Sequence, residues 1–226
     1  MSSTRRVSHD VAMIRSSDPV ADAEAPSRTR NRWGQGDRLR TEILEAAGQL
    51  LGELGGVDGL SLRGVARQVG ITPASIYAHF ADKADLVAAG VDYGHGRLVA
   101  RIREAGATVE ESDPVGRARA QLHAFCWYTV DNPGLYRLLF GPTHRPDGVK
   151  PTRSIVGLLI ETMHACEVAG TRLRLPAERA AIVLIVGAHG RVALQLINSG
   201  SDRVEQVIDF ADELLALVVE GTDRST

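Results

Sequence analysis

The sequence predicts an all-α protein of about nine helices, and three observations carry that expectation. Apolar residues recur at three- and four-residue spacing in one segment after another, as in Leu39, Ile43, Ala46, Ala47, Leu50 and Leu54. Aromatic residues make up only 4% of the chain, beside many Ala, Leu, Arg and Glu residues whose straight side chains lose little rotamer freedom in a helix. The one β-branched run, Ile182-Val183-Leu184-Ile185-Val186, lies inside a longer Ala-rich helical pattern, where a buried helix explains it better than a strand.

Taken in order, residues 1–35 mix Ser, Thr, Arg, Asp and Pro without a sustained period and read as a disordered arm. The first helix begins near Asp37 and stops at Gly55-Gly56. Ser61 is placed to cap a second, short helix whose inner face is Leu62, Val65, Ala66 and Val69, ending near Gly70. Thr72-Pro73 restarts a helix at once, because Thr suits the N-cap and the missing N–H of Pro costs nothing in the first turn. Asp82 caps a longer helix carrying Leu86, Val87, Val91, Leu98 and Ile102 towards Gly106. Further helical segments fall at about 114–131, 134–140, 151–168, 176–198 and 202–219. This gives an arm at 1–35, a small N-terminal domain at 36–83, a helical domain at 84–220 and a tail at 221–226.

Composition narrows the class. Hydrophobic residues are 44% and charged residues 24% of 226, the balance of a soluble globular chain, and the net charge of −2 argues against indiscriminate coating of nucleic acid. No continuous apolar run reaches the roughly 18 residues of a membrane span, and no apolar signal core follows Arg5-Arg6, so a cytoplasmic, membrane-free protein is expected. Cys126 and Cys166 fall within helical patterns and read as buried small hydrophobes rather than a disulfide.

Residues 61 to 80 meet the requirements of a helix-turn-helix, in which the second helix enters the major groove while the first braces it. Ala66 sits where the helices cross, Gly70 supplies the turn, and Ile71 and Ile76 plug the gap. Pro73-Ala-Ser-Ile-Tyr-Ala-His79 is too short to persist as an isolated helix, so packing must hold it and its outward side chains are available for contact. Arg28, Arg30 and Arg32 would then either reach DNA from a flexible arm or stand as a solvated tail.

These segments, Ile43-Leu-x-Ala46-Ala47, Leu60-Ser-Leu-Arg-Gly-Val-Ala66, Gly70-Ile-Thr-Pro-Ala-Ser-Ile-Tyr-Ala-His-Phe80 and Asp82-Lys83-x-Asp85-Leu86, strongly resemble the N-terminal pattern of the TetR family of repressors. A looser resemblance, at Ala124-Phe125-x-x-Tyr128-x-x-x-Asn132-Pro133-x-Leu135-Tyr136-Arg137-Leu138-Leu139-Phe140, is to the ligand-binding half of one branch of that family. Gly64 departs from the pattern and should cost the bracing helix about 1 kcal/mol.

The resemblance implies DNA contacts at Thr72, Ala74, Ser75, Tyr77, His79 and Lys83, with Arg40, Thr41 and Arg63 as further backbone candidates. Thr72 and Lys83 suit phosphate, Ser75 and Ala74 can meet a base edge or a thymine methyl, and Tyr77 and His79 either meet backbone oxygens or pack on neighbouring helices. It also implies a homodimer joined by the last two helices. Val204, Ile208, Ala211, Leu215 and Val218 form a three–four seam on one, and Val183, Gly187, Gly190 and Leu194 lie on an apolar, small-residue helix that another backbone can approach. Two reading helices held about 34–36 Å apart would demand a roughly palindromic double-stranded operator.

In such a protein the middle helices would enclose a small-molecule inducer. Trp127, Tyr128, Tyr136, Met163, His164, His189 and Gln195 are polar-tipped or polarisable residues in apolar helices, the usual mix for a cavity wall. Inducer binding would swing the linking helix at 84–105 and spread the reading helices. No catalytic, cofactor or metal motif is recognisable: the His residues are dispersed and neither H-E-x-x-H nor C-x-x-C occurs. Repressor and activator remain alternatives, since both use the same contacts.

Overall fold

The computed structural model describes residues 35–54, 56–140, 151–197 and 204–220. The arm arginines Arg28, Arg30 and Arg32 and the tail lie outside the described residues. Among the described residues there are nine helices: α1 (Gln35–Leu54), α2 (Leu62–Val69), α3 (Pro73–Tyr77), α4 (Lys83–Ala107), α5 (Pro114–Asp131), α6 (Pro133–Phe140), α7 (Pro151–Val168), α8 (Ala177–Ile197) and α9 (Val204–Val218). Extended structure among them is one isolated bridge, Leu173 to Val219, flanked by Arg174 N donating to Val218 O (2.8 Å) and Glu220 N to Arg172 O (2.8 Å).

The helix ends follow from the capping chemistry in the sequence. Ser61 Oγ accepts from Gly64 N at 3.1 Å and opens α2. Gly70 closes it in the left-handed region (φ 76°), where a side chain would be strained and where its amide can still reach the last carbonyls of α2. Asp82 accepts from Asp85 N (2.8 Å) while the Asp85 carboxylate accepts from Ala81 N (3.0 Å), a reciprocal pairing that fixes the start of α4. Asp113 and Pro114 open α5 with a one-way cap, Gly116 N donating to Asp113 Oδ1 at 2.7 Å.

Two packed regions share one continuous core. Around α1 to α3, Ile43, Ala47, Val65, Ala66, Ile76 and Phe80 are buried and lock the two short helices to the long one. In the larger half, α5 lies against α4, α7, α8 and α9. Its Leu122, Phe125 and Cys126 are buried with Leu159 and Met163 of α7 and Leu184 of α8. Gln121 and Thr162 are the buried polar pair between α5 and α7, satisfied by a 2.9 Å hydrogen bond. Both cysteines are free and buried; burial pushes the Cys126 thiol up to about 12 and the Cys166 thiol up to about 11.

Although charged residues interrupt it, α8 is long and apolar enough overall to cross a membrane by length and composition. Its Ala180, Ala181, Leu184, Ala188 and Val192 instead pack on neighbouring helices of this chain, and Ile182, Val183, Val186, Leu194 and Ile197 face outwards.

Candidate nucleic-acid interface and effector half

The reading helix is held by its inner side. Ile76 is fully buried and Phe80 nearly so, whereas Thr72, Pro73, Ala74, Tyr77 and Ala78 are exposed. Tyr77 has 52% of its surface open, so it does not pack on a neighbouring helix. Thr72 Oγ1 accepts from Ser75 N (3.2 Å) and shares a hydrogen bond with Ser75 Oγ (2.9 Å), which fixes both hydroxyls at the tip of α3. The face from Thr72 to Ala78 is therefore preorganised and uncovered, as a groove-reading surface requires.

The other predicted contact residues divide by what already engages them. Arg40 does not stand out to solvent: its guanidinium lies 4.4 Å from the centroid of the Phe80 ring and donates to the His79 carbonyl at 2.9 Å. It ties α1 to the end of the reading helix, so it is a positioning residue. Thr41 Oγ1 donates back to Asp37 O within α1 (3.0 Å), and Lys83 Nζ donates to Asp58 O (3.2 Å), bracing α4 against the α1–α2 loop. His79 is half-buried. Arg63 is exposed, and one turn along the same helix so is Arg67, the side chain of each without an ion pair or hydrogen bond among the described residues. Arg67 was missed by the sequence reading, although its four-residue spacing from Arg63 was the available signal.

The residues expected to line one inducer pocket do not meet. Trp127 is 42% exposed and His164 sits on the surface between Glu167 and Glu178 (3.3 and 3.2 Å). Met163 is fully buried as ordinary core. Tyr136 and His189 do come together, Oη lying 3.2 Å from Nδ1 with the rings stacked at 5.4 Å, in a cluster completed by Phe125 and Phe140. Burial pushes the Tyr136 hydroxyl up to about 12 and holds His189 below its ordinary value, so a neutral imidazole faces a protonated phenol. Gln195 is half-buried in α8, its Oε1 shielded from solvent. Tyr128 points elsewhere, into a cavity of about 520 Å³ walled by α1, α4, the end of α5 and α6.

The dimer residues also separate. Val183 and Leu194 are exposed on α8, and Gly187, Gly190, Val204 and Ile208 are partly exposed. Ala211, Leu215 and Val218 are buried within this chain, because α9 turns that seam onto α5 and α8. Three of the five seam side chains are therefore used inside the subunit.

A capped helix-turn-helix joined through a continuous core to a larger helical half is the architecture of a DNA-binding regulatory protein. Residues 43–89 match the model of bacterial regulatory proteins of the tetR family, and residues 118–218 match the tetracyclin repressor-like C-terminal domain. The chain belongs to the TetR family. It is 32% identical over 102 residues to the nucleoid occlusion factor SlmA of Vibrio campbellii and 33% identical to that of Vibrio atlanticus, in each case covering 45% of this chain. The match spans about half, 51%, of the length of these curated relatives. Among solved structures, a Rhodococcus sp. RHA1 protein of unknown function matches at a TM-score of 0.65 and 26% identity, over 87% of this chain and 100% of that one. A TetR family regulator from Marinobacter aquaeolei VT8 matches at 0.62 and 19%, over 82% and 97%, which establishes a shared fold.

Proposed function

We propose that this protein is a cytoplasmic transcriptional repressor that binds a roughly palindromic operator as a homodimer and is released by a small-molecule inducer. The observation that carries the reading is the uncovered face of α3: Ile76 is wholly buried while Pro73, Ala74 and Tyr77 stand open, so the helix is anchored and its outer side unused within the chain. Arg63 and Arg67 add two positive charges on the exposed side of the bracing helix, suited to phosphates. The domain boundaries proposed are 36–83 for DNA binding and 84–220 for dimerisation and effector binding.

Dimerisation is supported by the outward apolar stripe of α8, where Val186 is 60% and Leu194 55% exposed. A contiguous apolar strip on a soluble protein marks an interface, and a partner's equivalent helix would cover it. The test is binding of the purified protein to the DNA upstream of its own gene, against a scrambled duplex of equal length. Two chains should bind per operator, with Tyr77→Ala weakening the complex and the scrambled duplex losing it. One chain per duplex, or equal affinity for both duplexes, would sink the reading.

A further inference from the structure

The cavity of about 520 Å³ does not lie among the residues expected to bind an inducer; it occupies the seam where α1 of the DNA-binding half meets α4 and the α5–α6 corner. Its volume is that of a small-molecule site, about 300–1,000 Å³. The floor is apolar, with Leu44, Leu51, Leu86 and Leu138 all buried. The rim is polar: Glu45, Glu53, Tyr93, Arg97, Tyr128 and Asp131.

The charges on that rim decide what it can hold. Arg97 is already engaged, its guanidinium 3.4 Å from Glu45 Oε1 and 3.0 Å from the Tyr93 hydroxyl, which itself donates to Glu45 at 2.8 Å. Glu53 and Asp131 make no ion pair or hydrogen bond among the described residues. The side chains lining the mouth carry one cation against three carboxylates, with Arg137 behind the wall on the Gly52 carbonyl, and an anion entering would have to strip Glu45 from Arg97 while facing the other two. A cation meets the uncommitted carboxylates of Glu53 and Asp131 and the ring of Tyr128, which attracts positive charge through its quadrupole; the Tyr93 ring already has the Arg97 guanidinium 5.7 Å from its centroid.

We propose that this seam cavity is an effector site for an organic cation, a single positive charge carried on an aromatic or branched apolar body. Its consequence for DNA rests on the repressor reading above. The walls belong to both halves of the protein, and α6 is clamped to α1 at this place by Arg137, which donates to the Gly52 carbonyl at 3.1 Å. An occupant therefore fixes the spacing of α1, α4 and α6 and selects one placement of the reading helices over others.

The probes are tetraphenylphosphonium and tetraphenylborate, matched in shape and opposite in charge, titrated calorimetrically into the full chain. The phosphonium should bind once per chain and the borate at least tenfold more weakly, as several same-sign contacts near a surface allow. Converting Glu53→Gln and Asp131→Asn together, both exposed and tolerant of change, should cost the phosphonium about tenfold. A Cβ at Gly48, which lines the cavity from α1, would meet nothing within 4 Å, so Gly48→Leu should fill the space and abolish binding while the chain stays folded by circular dichroism. Equal affinity for the two ions, or phosphonium binding unmoved by the carboxamide pair, overturns the proposal whatever Gly48→Leu does. Operator binding by the unliganded protein is read in the same preparation: phosphonium binding with these mutational effects but no operator binding upholds the site and removes the repressor reading, whereas operator binding without charge discrimination does the reverse.

Discussion

Gly134 of α6 rests on the backbone of Gly52 of α1, so close that a Cβ at 134 would run into the Gly48 carbonyl oxygen and the Gly52 amide nitrogen. Those obstacles are main chain, not a yielding side-chain tip. Gly134→Ala should therefore force α6 off α1 and destabilise the protein by about 1–3 kcal/mol in urea unfolding. Gly48→Ala, one turn away and facing open space, should instead stabilise it by about 0.5–1 kcal/mol, since alanine restricts the unfolded chain and suits a helix interior. Similar effects of the two alanines would mean that the contact is not tight.

Arg63 and Arg67 are expected to meet phosphates, whereas Arg40 is held by Phe80 and the His79 carbonyl. Each of Arg63→Ala and Arg67→Ala should lower the slope of log affinity against log salt by about two per dimer, one released ion per subunit, without changing sequence preference. Arg40→Ala should lower stability and leave the slope largely unchanged. A slope that falls for Arg40→Ala at constant stability would return that residue to the phosphate contacts.

Val186 and Leu215 separate the outer face of the last two helices from the inner one. Val186→Glu places a charge on a side chain 60% exposed in the single chain, so helix content should persist while sedimentation shows monomers and operator affinity collapses. Leu215→Ala, at 2% exposure, should cost about 2–5 kcal/mol of stability through the cavity it leaves. A Val186→Glu protein that remains dimeric would move the interface elsewhere.

The contrast between the two halves explains what could be read from the residues. The helix-turn-helix was legible because its instructions are local: Ser61, Gly70, Thr72-Pro73 and Asp82 set each end within three or four residues. The three–four seam of α9 announced a buried face equally well, but periodicity does not say whose helix covers it, and Ala211, Leu215 and Val218 turned out to be covered by their own chain. The pocket was the least legible. Met163 and His164 are adjacent in sequence yet one is core and the other surface, and the cavity lies beside a close approach of Gly134 to Gly52 that no local pattern encodes.

His189 offers a pH test of the aromatic cluster. Its folded value is lowered by burial from the ordinary 6.5, so the unfolded chain takes up the proton first as the solution is acidified. The stability that comes from keeping this imidazole neutral beside Tyr136 is fully present above about 6.5 and is lost as pH falls through the lower, folded value. His189→Gln removes that titration and leaves His123 beside Asp212 and His164 beside its two glutamates in both proteins, so the difference between the two stability curves isolates one ring. The urea midpoint of the native protein should fall more steeply than that of the variant between pH 7 and about pH 5, a span chosen to cover ordinary histidine titration. If the native protein instead gained on the variant as the pH dropped, the imidazole would be charged in the folded cluster, and the pairing of a protonated Tyr136 with a neutral His189 would have to be abandoned.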